Sequence, residues 1–208
     1  MARAFAEIAF TDAVRKKQKQ YGSAEAYAKF LTADADRKDA LTAAEAEFIS
    51  ARDGFYQATV SETGWPYVQF RGGPVGFVKI IDTKTIAYAD FRGNRQYLSV
   101  GNLTKNDRVS LFFMDYPNQR RLKVWGRTKV IDHETDPSLI ASLHDEAYRV
   151  KPERAVIITV EAFDWNCPQH IPQRFTTEEI KRVIEPMQTE LEALKVENAK
   201  LKEMIKSQ

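Results

Sequence analysis

Between residues 55 and 165 the chain is cut into seven short runs rich in Val, Ile, Phe and Tyr, and no other feature constrains the fold as much. The runs are FYQATVS (55–61), PYVQFRG (66–72), GFVKIID (76–82), TIAYADF (85–91), RVSLFFMDY (108–116), RLKVWGRTKVI (121–131) and AVIITVEAFDW (155–165). Several alternate apolar with polar residues, the period-two pattern of a strand with one buried face. ETGW and DTK, between neighbouring runs, are turn material. Six or seven short strands at such spacing predict an antiparallel barrel or sandwich.

Helices flank this region. SAEAYAKFL (23–31) and TAAEAEFISAR (42–52) are Ala- and Glu-rich, with apolar residues at three- and four-residue spacing. Thr42 followed by Glu45 is a capping-box pattern. DPSLIASLHDEAYRV (136–150) predicts one helix before the last strand, with Asp136 as cap and Pro137 at its first position. The expected organisation is a helical lead at 1–52, a β domain at 53–175 and a C-terminal helix at 176–208.

That last helix carries a heptad pattern. Ile184, Leu191, Asn198 and Ile205 fall at position a, and Met187, Leu194 and Leu201 at d. Glu190 and Glu197 take g, with Lys195 and Lys202 at the following e positions. This is the register of a parallel two-stranded coiled coil. An amphipathic helix lying on its own barrel is the alternative. Pro186 lacks an N–H and crowds the preceding turn, which predicts a kink or a fresh start there.

Charge excludes some partners. Thirty-one basic and 29 acidic residues leave a net charge of +2. No global basic field argues for nucleic acid or a membrane surface, so any anion site must be a local cluster. The N-terminus has no long apolar segment before a cleavage site, and no apolar run reaches the ~18–20 residues that span a bilayer. The single cysteine, Cys167, rules out an intramolecular disulfide and fits a reducing compartment. A cytoplasmic protein without nucleic-acid or membrane partners is expected.

Nucleophile and metal signals are weak. Cys167 lies near His170 in WNCPQH, but that spacing on a Pro-containing segment does not by itself set sulfur and imidazole face to face, and a structural thiol is the better reading. HETD (133–136) and HDE (144–146) are ordinary solvated groupings, and no metal site is expected.

Phosphate is better served, although the chain has neither a Walker loop nor Gly-x-Gly-x-x-Gly. Arg71 precedes Gly72 and Gly73, Lys79 lies within GFVKIID, and Arg120, Arg121 and Lys123 sit in NQRRLKV. Arg92, Asn94 and Arg95 fall in DFRGNRQYLSVGN (90–102), a connection longer and more polar than a hairpin requires. Arginine forks with a lysine point charge suit a phosphate monoester, and Gly72, Gly73 and Gly93 would admit backbone N–H groups to it. Rim charges paired with Asp82, Asp90, Asp107 and Asp115 are the bland alternative; clustering around one hairpin brings the two readings level. Aromatic residues such as Tyr97 and Trp165 could stack on a flat heterocycle, though each also suits a core.

GWPYVQFRGGPVGFVKIID, YADFRGNRQYLSVGN, NDRVSLFFMDYPNQRRLKVWGRTKVI and EAFDWNCPQHIPQR, in that order, resemble the pyridoxamine 5′-phosphate oxidase-like, FMN-binding split-barrel family over about residues 50–175. The resemblance implies a mainly β fold with flanking helices, built on a six-stranded antiparallel split β-barrel. It also implies a homodimer with FMN in two clefts between subunits. Lys79 would then run beside the flavin ring and ribityl chain. Arg95 would be the main phosphate fork, with Asn94 in the same turn. Gln96 stands where the vitamin B6 oxidases have lysine, a missing charge that Arg71 or Arg92 would make up. Asp90 and Ala89 would line the phosphate side. Arg121 stands where those oxidases use a glutamine, and would stabilise a reduced flavin. Trp165 and Arg174 match the pair that closes the site from the partner subunit. The vitamin B6 oxidases end in a substrate-binding segment, whereas this chain runs into the heptad helix, so their substrate is not implied. The expected function is an FMN-dependent oxidoreductase, moving hydride or electrons from a nicotinamide or small reductant to an unassigned acceptor. A non-catalytic flavin or haem module is the alternative.

Overall fold

The computed structural model describes residues 3–165 and 168–206. Cys167, read above as a structural thiol, lies outside the described residues. The chain forms two compact units, residues 1–115 with 120–169, and 116–119 with 170–208.

In the first unit, the described residues form seven strands: β1 (Gly54–Val60), β2 (Pro66–Gly72), β3 (Lys79–Asp82), β4 (Thr85–Phe91), β5 (Arg108–Asp115), β6 (Arg120–Asp132) and β7 (Pro152–Trp165). They make one antiparallel sheet in the order β2-β1-β5-β6-β7-β4-β3. The resemblance implied six strands, and the sheet has seven. Helices α1 (Arg3–Ala9), α2 (Asp12–Gln20), α3 (Ala24–Ala28) and α4 (Ala43–Ser50) precede it. Two short helices are inserted, α5 (Leu98–Leu103) before β5 and α6 (Pro137–Leu143) before β7.

The sheet curls until strands remote in the ladder face each other. β1 and β4 are separated by three strands in the order, yet the Tyr88 hydroxyl donates to Gln57 Oε1 at 2.6 Å. The Phe55 and Tyr88 rings meet edge to face at 5.4 Å. Alternation drives this closure. On β5, Val109, Leu111 and Phe113 point inward and are buried with Phe55, Leu122 and Val124. The two margins, β2 and β3, are not joined by a ladder, so the barrel is split.

β7 is buried along most of its length, as its near-continuous apolar run requires. Its outer face is covered twice. Ile140 and Leu143 of α6 pack on Ala87, Ala89 and Ala155, and Ala4 and Phe5 of α1 pack on Ala162. A bulge follows Trp125 on β6, where the β7 partner steps from Ala162 to Val160. Gly126 sits at that step, where a Cβ would fall 2.4 Å from the Thr159 carbonyl oxygen. Only glycine lets the two backbones approach so closely.

Sequence and structure part company at two strand or helix ends. Phe77 and Val78, read as strand, are buried in a turn that follows Gly76 (φ +79°), and β3 starts only at Lys79. The helix expected over 136–150 stops at Leu143, because His144 turns extended (ψ 137°).

The second unit holds α7 (Thr177–Lys206). The Thr176 N–H and hydroxyl donate to Glu179 Oε2 at 2.7 and 2.9 Å, and the Glu179 N–H donates back to Thr176 Oγ1 at 3.2 Å. This capping box starts the helix. The helix then runs through Pro186 without a fresh start.

Candidate functional site

Asp90 lies at the end of β4, directly opposite Arg154 in the β4–β7 ladder. Its carboxylate is 2 % exposed, and each oxygen has its own guanidinium. Arg71 Nη1 donates to Oδ1 at 2.5 Å, and Arg154 Nε to Oδ2 at 3.0 Å. The Arg71 bond crosses the split, joining β2 to β4. Arg154 Nη2 also donates to Glu153 Oε2 at 2.7 Å, and Arg92 Nε lies 3.8 Å from Glu153 Oε1. Charge-assisted bonds of this kind are short and directional, so Asp90 fixes where both arginines point.

The loop after β4 sits beside this network. Asn94 Oδ1 accepts from the Gln96 N–H at 3.1 Å, closing an Asx turn. Arg95 (φ 63°) and Tyr97 (φ 54°) both adopt the left-handed conformation, which is uncommon for side-chain-bearing residues and tends to mark functional loops. The Tyr97 ring lies 5.0 Å from the Arg154 guanidinium, and its hydroxyl accepts from Arg95 Nε at 3.4 Å. Tyr97 thus touches both Arg95 and Arg154. The following helix is tied to the barrel. Ser99 Oγ donates to Gln69 Oε1 at 3.1 Å and Asn102 Nδ2 to Thr59 Oγ1 at 3.0 Å.

These groups surround a pocket of about 180 Å³. Arg71, Arg95 and Arg154 line it against two carboxylates, Asp90 and Glu153, leaving one formal positive charge. Arg71 Nε is buried and has no hydrogen-bond partner among the described residues. The donor set suits an anionic oxygen group. Small-molecule sites commonly run to ~300–1,000 Å³, so the pocket has room for an anionic tail rather than a whole nucleotide.

Of the residues singled out from the sequence, Arg71, Asp90, Asn94, Arg95 and Gln96 line this pocket, and Arg92 adjoins it through Glu153. Ala89 does not line it. Neighbours on a strand face opposite ways, and Ala89 is buried under α6. Lys79 Nζ donates to the Gly76 carbonyl at 2.9 Å, and the Arg121 guanidinium lies 5.4 Å over the Phe112 ring. The Trp165 indole N–H donates to Glu45 Oε1 at 2.6 Å. None of these three lines the pocket. Arg174 belongs to the second unit, 5.1 Å over the Tyr116 ring. Gly72 and Gly73 are small for a reason other than anion approach: a Cβ would meet the rings of Phe70 and Phe77 at 2.9 and 2.7 Å.

Sequence reading missed Arg154 and Glu153. Pairing TIAYADF against the last strand in register sets Arg154 against Asp90, and that was the available signal. Among the described residues no group of three metal-capable side chains occurs, and no histidine lines the pocket. No helix among them is long and apolar enough to cross a membrane.

The family model described as pyridoxamine 5′-phosphate oxidase matches residues 41–165, more than half of the chain. No curated protein matches. Among solved structures, a variant of HupZ from Group A Streptococcus is 17% identical, with 61% of this chain and 99% of that one covered at a TM-score of 0.50. An FMN-binding protein from Syntrophomonas wolfei is 13% identical over 75% of this chain and 96% of that one, with a TM-score of 0.44. A Clostridium acetobutylicum protein related to general stress protein 26, of the pyridoxinephosphate oxidase family, is 18% identical over 66% and 94%, with a TM-score of 0.44. At that identity the likeness to HupZ is one of fold alone.

Proposed function

Since the chain belongs to the pyridoxamine 5′-phosphate oxidase family, we propose that it is an FMN-dependent oxidoreductase whose pocket beside Arg95 receives the flavin phosphate. The observation that carries this reading is the pocket's surplus of guanidinium groups, two of them held in place by one buried carboxylate. Arg95, exposed on its loop, is the fork free to turn toward an anion. Arg71 and Arg154 supply a preset positive wall, and such preorganisation lowers the reorganisation that binding requires. Asp90 acts by positioning, not by contact with the phosphate. Bound FMN supplies hydride and electron transfer, which no side chain here can perform. Lys79, Gln96, Arg121, Trp165 and Arg174 are assigned around the flavin by the family resemblance.

A second copy of the chain completes the site in this reading. The pocket is too small for a whole flavin, and the outer sheet face leaves apolar groups uncovered. Phe70, Tyr56 and Phe112 stand side by side across β2, β1 and β5, with Phe70 58 % and Tyr56 39 % exposed. Apolar patches of this kind mark interaction surfaces, and a two-fold dimer covers the same patch on both subunits.

An absorption spectrum of the isolated protein and titration with FMN test the proposal. Bands between roughly 300 and 600 nm and quenching of added FMN are expected for a bound flavin. A colourless protein that leaves FMN fluorescence unchanged sinks it. One observation favours a second reading, a flavin-binding module without turnover: among the described residues the pocket offers no histidine, and both of its carboxylates are ion-paired. Sustained oxidation of a nicotinamide with FMN and an acceptor supports the enzyme; a single stoichiometric reduction supports the module.

A further inference from the structure

We propose that α7 pairs in parallel and in register with α7 of a second copy of this chain. The inference stands on the C-terminal helix alone and does not depend on what the pocket binds. α7 is a 30-residue helix with no buried residue. A stripe spaced alternately by four and three residues runs from Ile180 to Ile205, and Asn198 is its only polar member. Its apolar members are between 42 % and 74 % exposed. A spacing that averages 3.5 residues is that of a supercoiled seam, narrower than the face of a helix lying on a globular core. An isolated helix gains little stability from propensity alone, so an uncovered stripe of this length calls for a partner.

The charges identify that partner and its direction. In a parallel pair, Glu190 and Glu197 at g meet Lys195 and Lys202 at e of the other chain, five residues on. An antiparallel pair would set g against g and e against e, placing glutamates beside glutamates and lysines beside lysines. In the single chain Lys195 donates to Glu192 at 2.8 Å, but both side chains are more than half exposed, so that pair is weak and readily exchanged. Asn198 at a finds its only equivalent partner in its own copy, which also sets the register. A lone Asn at a specifies the oligomer state as well as the register, and it is best matched in a pair. Pro186 falls at c and Thr189 at f, both away from the seam.

Disulfide trapping in the full-length chain tests the pairing. In a Cys167→Ser background, Leu191→Cys, Asn198→Cys and Ile205→Cys are made singly and oxidised at low micromolar concentration. Parallel, in-register pairing links most of the chain at each of the three positions, while Thr189→Cys at f links little. Linkage at only one a position, as an antiparallel crossing gives, overturns the proposal. So does equal linkage at Thr189→Cys, or no linkage anywhere. As a second measure, adding Glu190→Lys and Glu197→Lys to the Asn198→Cys chain lowers the linked fraction severalfold, and further adding Lys195→Glu and Lys202→Glu restores it; indifference to these charges counts against the pairing. FMN quenching by the same variants separates the two readings. Quenching without linkage removes only the paired helix, and linkage without quenching removes only the flavin site.

Discussion

Asp90 and Arg95 serve one pocket in opposite ways, and substitution separates them. Asp90 is buried between two guanidinium groups, so Asp90→Ala leaves Arg71 without its anion and Arg154 with Glu153 alone. Breaking a buried pair in this way costs about 3–5 kcal/mol, which a urea titration reads as a lower midpoint. Arg95 is exposed, and its only hydrogen bond among the described residues is a long one to Tyr97. Arg95→Ala therefore leaves the urea midpoint unchanged and weakens FMN binding roughly ten- to a hundredfold, the usual worth of a charge-assisted contact. A fluorescence titration checks it, and unchanged affinity removes Arg95 from the site. Legibility divided along the same line. Arg95 stood out because its loop is longer and more cationic than a turn needs. Arg154 precedes an apolar run and becomes notable only through its cross-strand partner, a fact of register that composition does not carry.

At the scale of elements, α4 is pinned to the end of β7 by Glu45. Burial raises the Glu45 pKa, but hydrogen bonds from Thr42 and from the Trp165 indole outweigh it, and the net effect is a carboxyl below its ordinary value of 4.5. A lowered folded-state pKa adds stability that is present above the unfolded value and lost as pH falls through the folded one. Glu45→Gln should accordingly destabilise the protein at neutral pH and flatten the loss of stability below about pH 4.5, read as urea midpoints across pH. If the wild-type and variant slopes coincide, Glu45 is not the titrating anchor. Gly126→Ala tests the bulge. Its Cβ meets backbone, which cannot swing aside, so a loss on the order of 1–3 kcal/mol is expected in the same assay. The strands were largely readable from alternation, and the Thr42–Glu45 cap from its motif. Phe77 and Val78 misled because a buried turn and a buried strand have the same apolar composition. His144 gave no sign of where α6 ends, since the residues after it are as compatible with helix as with turn.

At the largest scale, the first unit is a sheet that closes without joining its margins. Its uncovered outer face predicts self-association. With the α7 seam broken by Leu191→Lys and Leu194→Lys, Phe70→Lys should shift sedimentation toward the single chain and weaken FMN binding, while far-ultraviolet circular dichroism stays the same. A dimer indifferent to that change would place the subunit contact elsewhere. Where β2 comes near β4, no backbone ladder holds them. The Arg71–Asp90 pair does, with the Tyr88–Gln57 bond across β1 and β4 below it. A molecule resting in the neighbouring pocket touches both sides of that opening, and so acts as a clasp on the barrel as well as its cargo. Binding the native form alone raises its resistance to unfolding. Here the gain should be concentrated at the seam, where amide exchange in β2 and the end of β4 would slow first as the pocket fills.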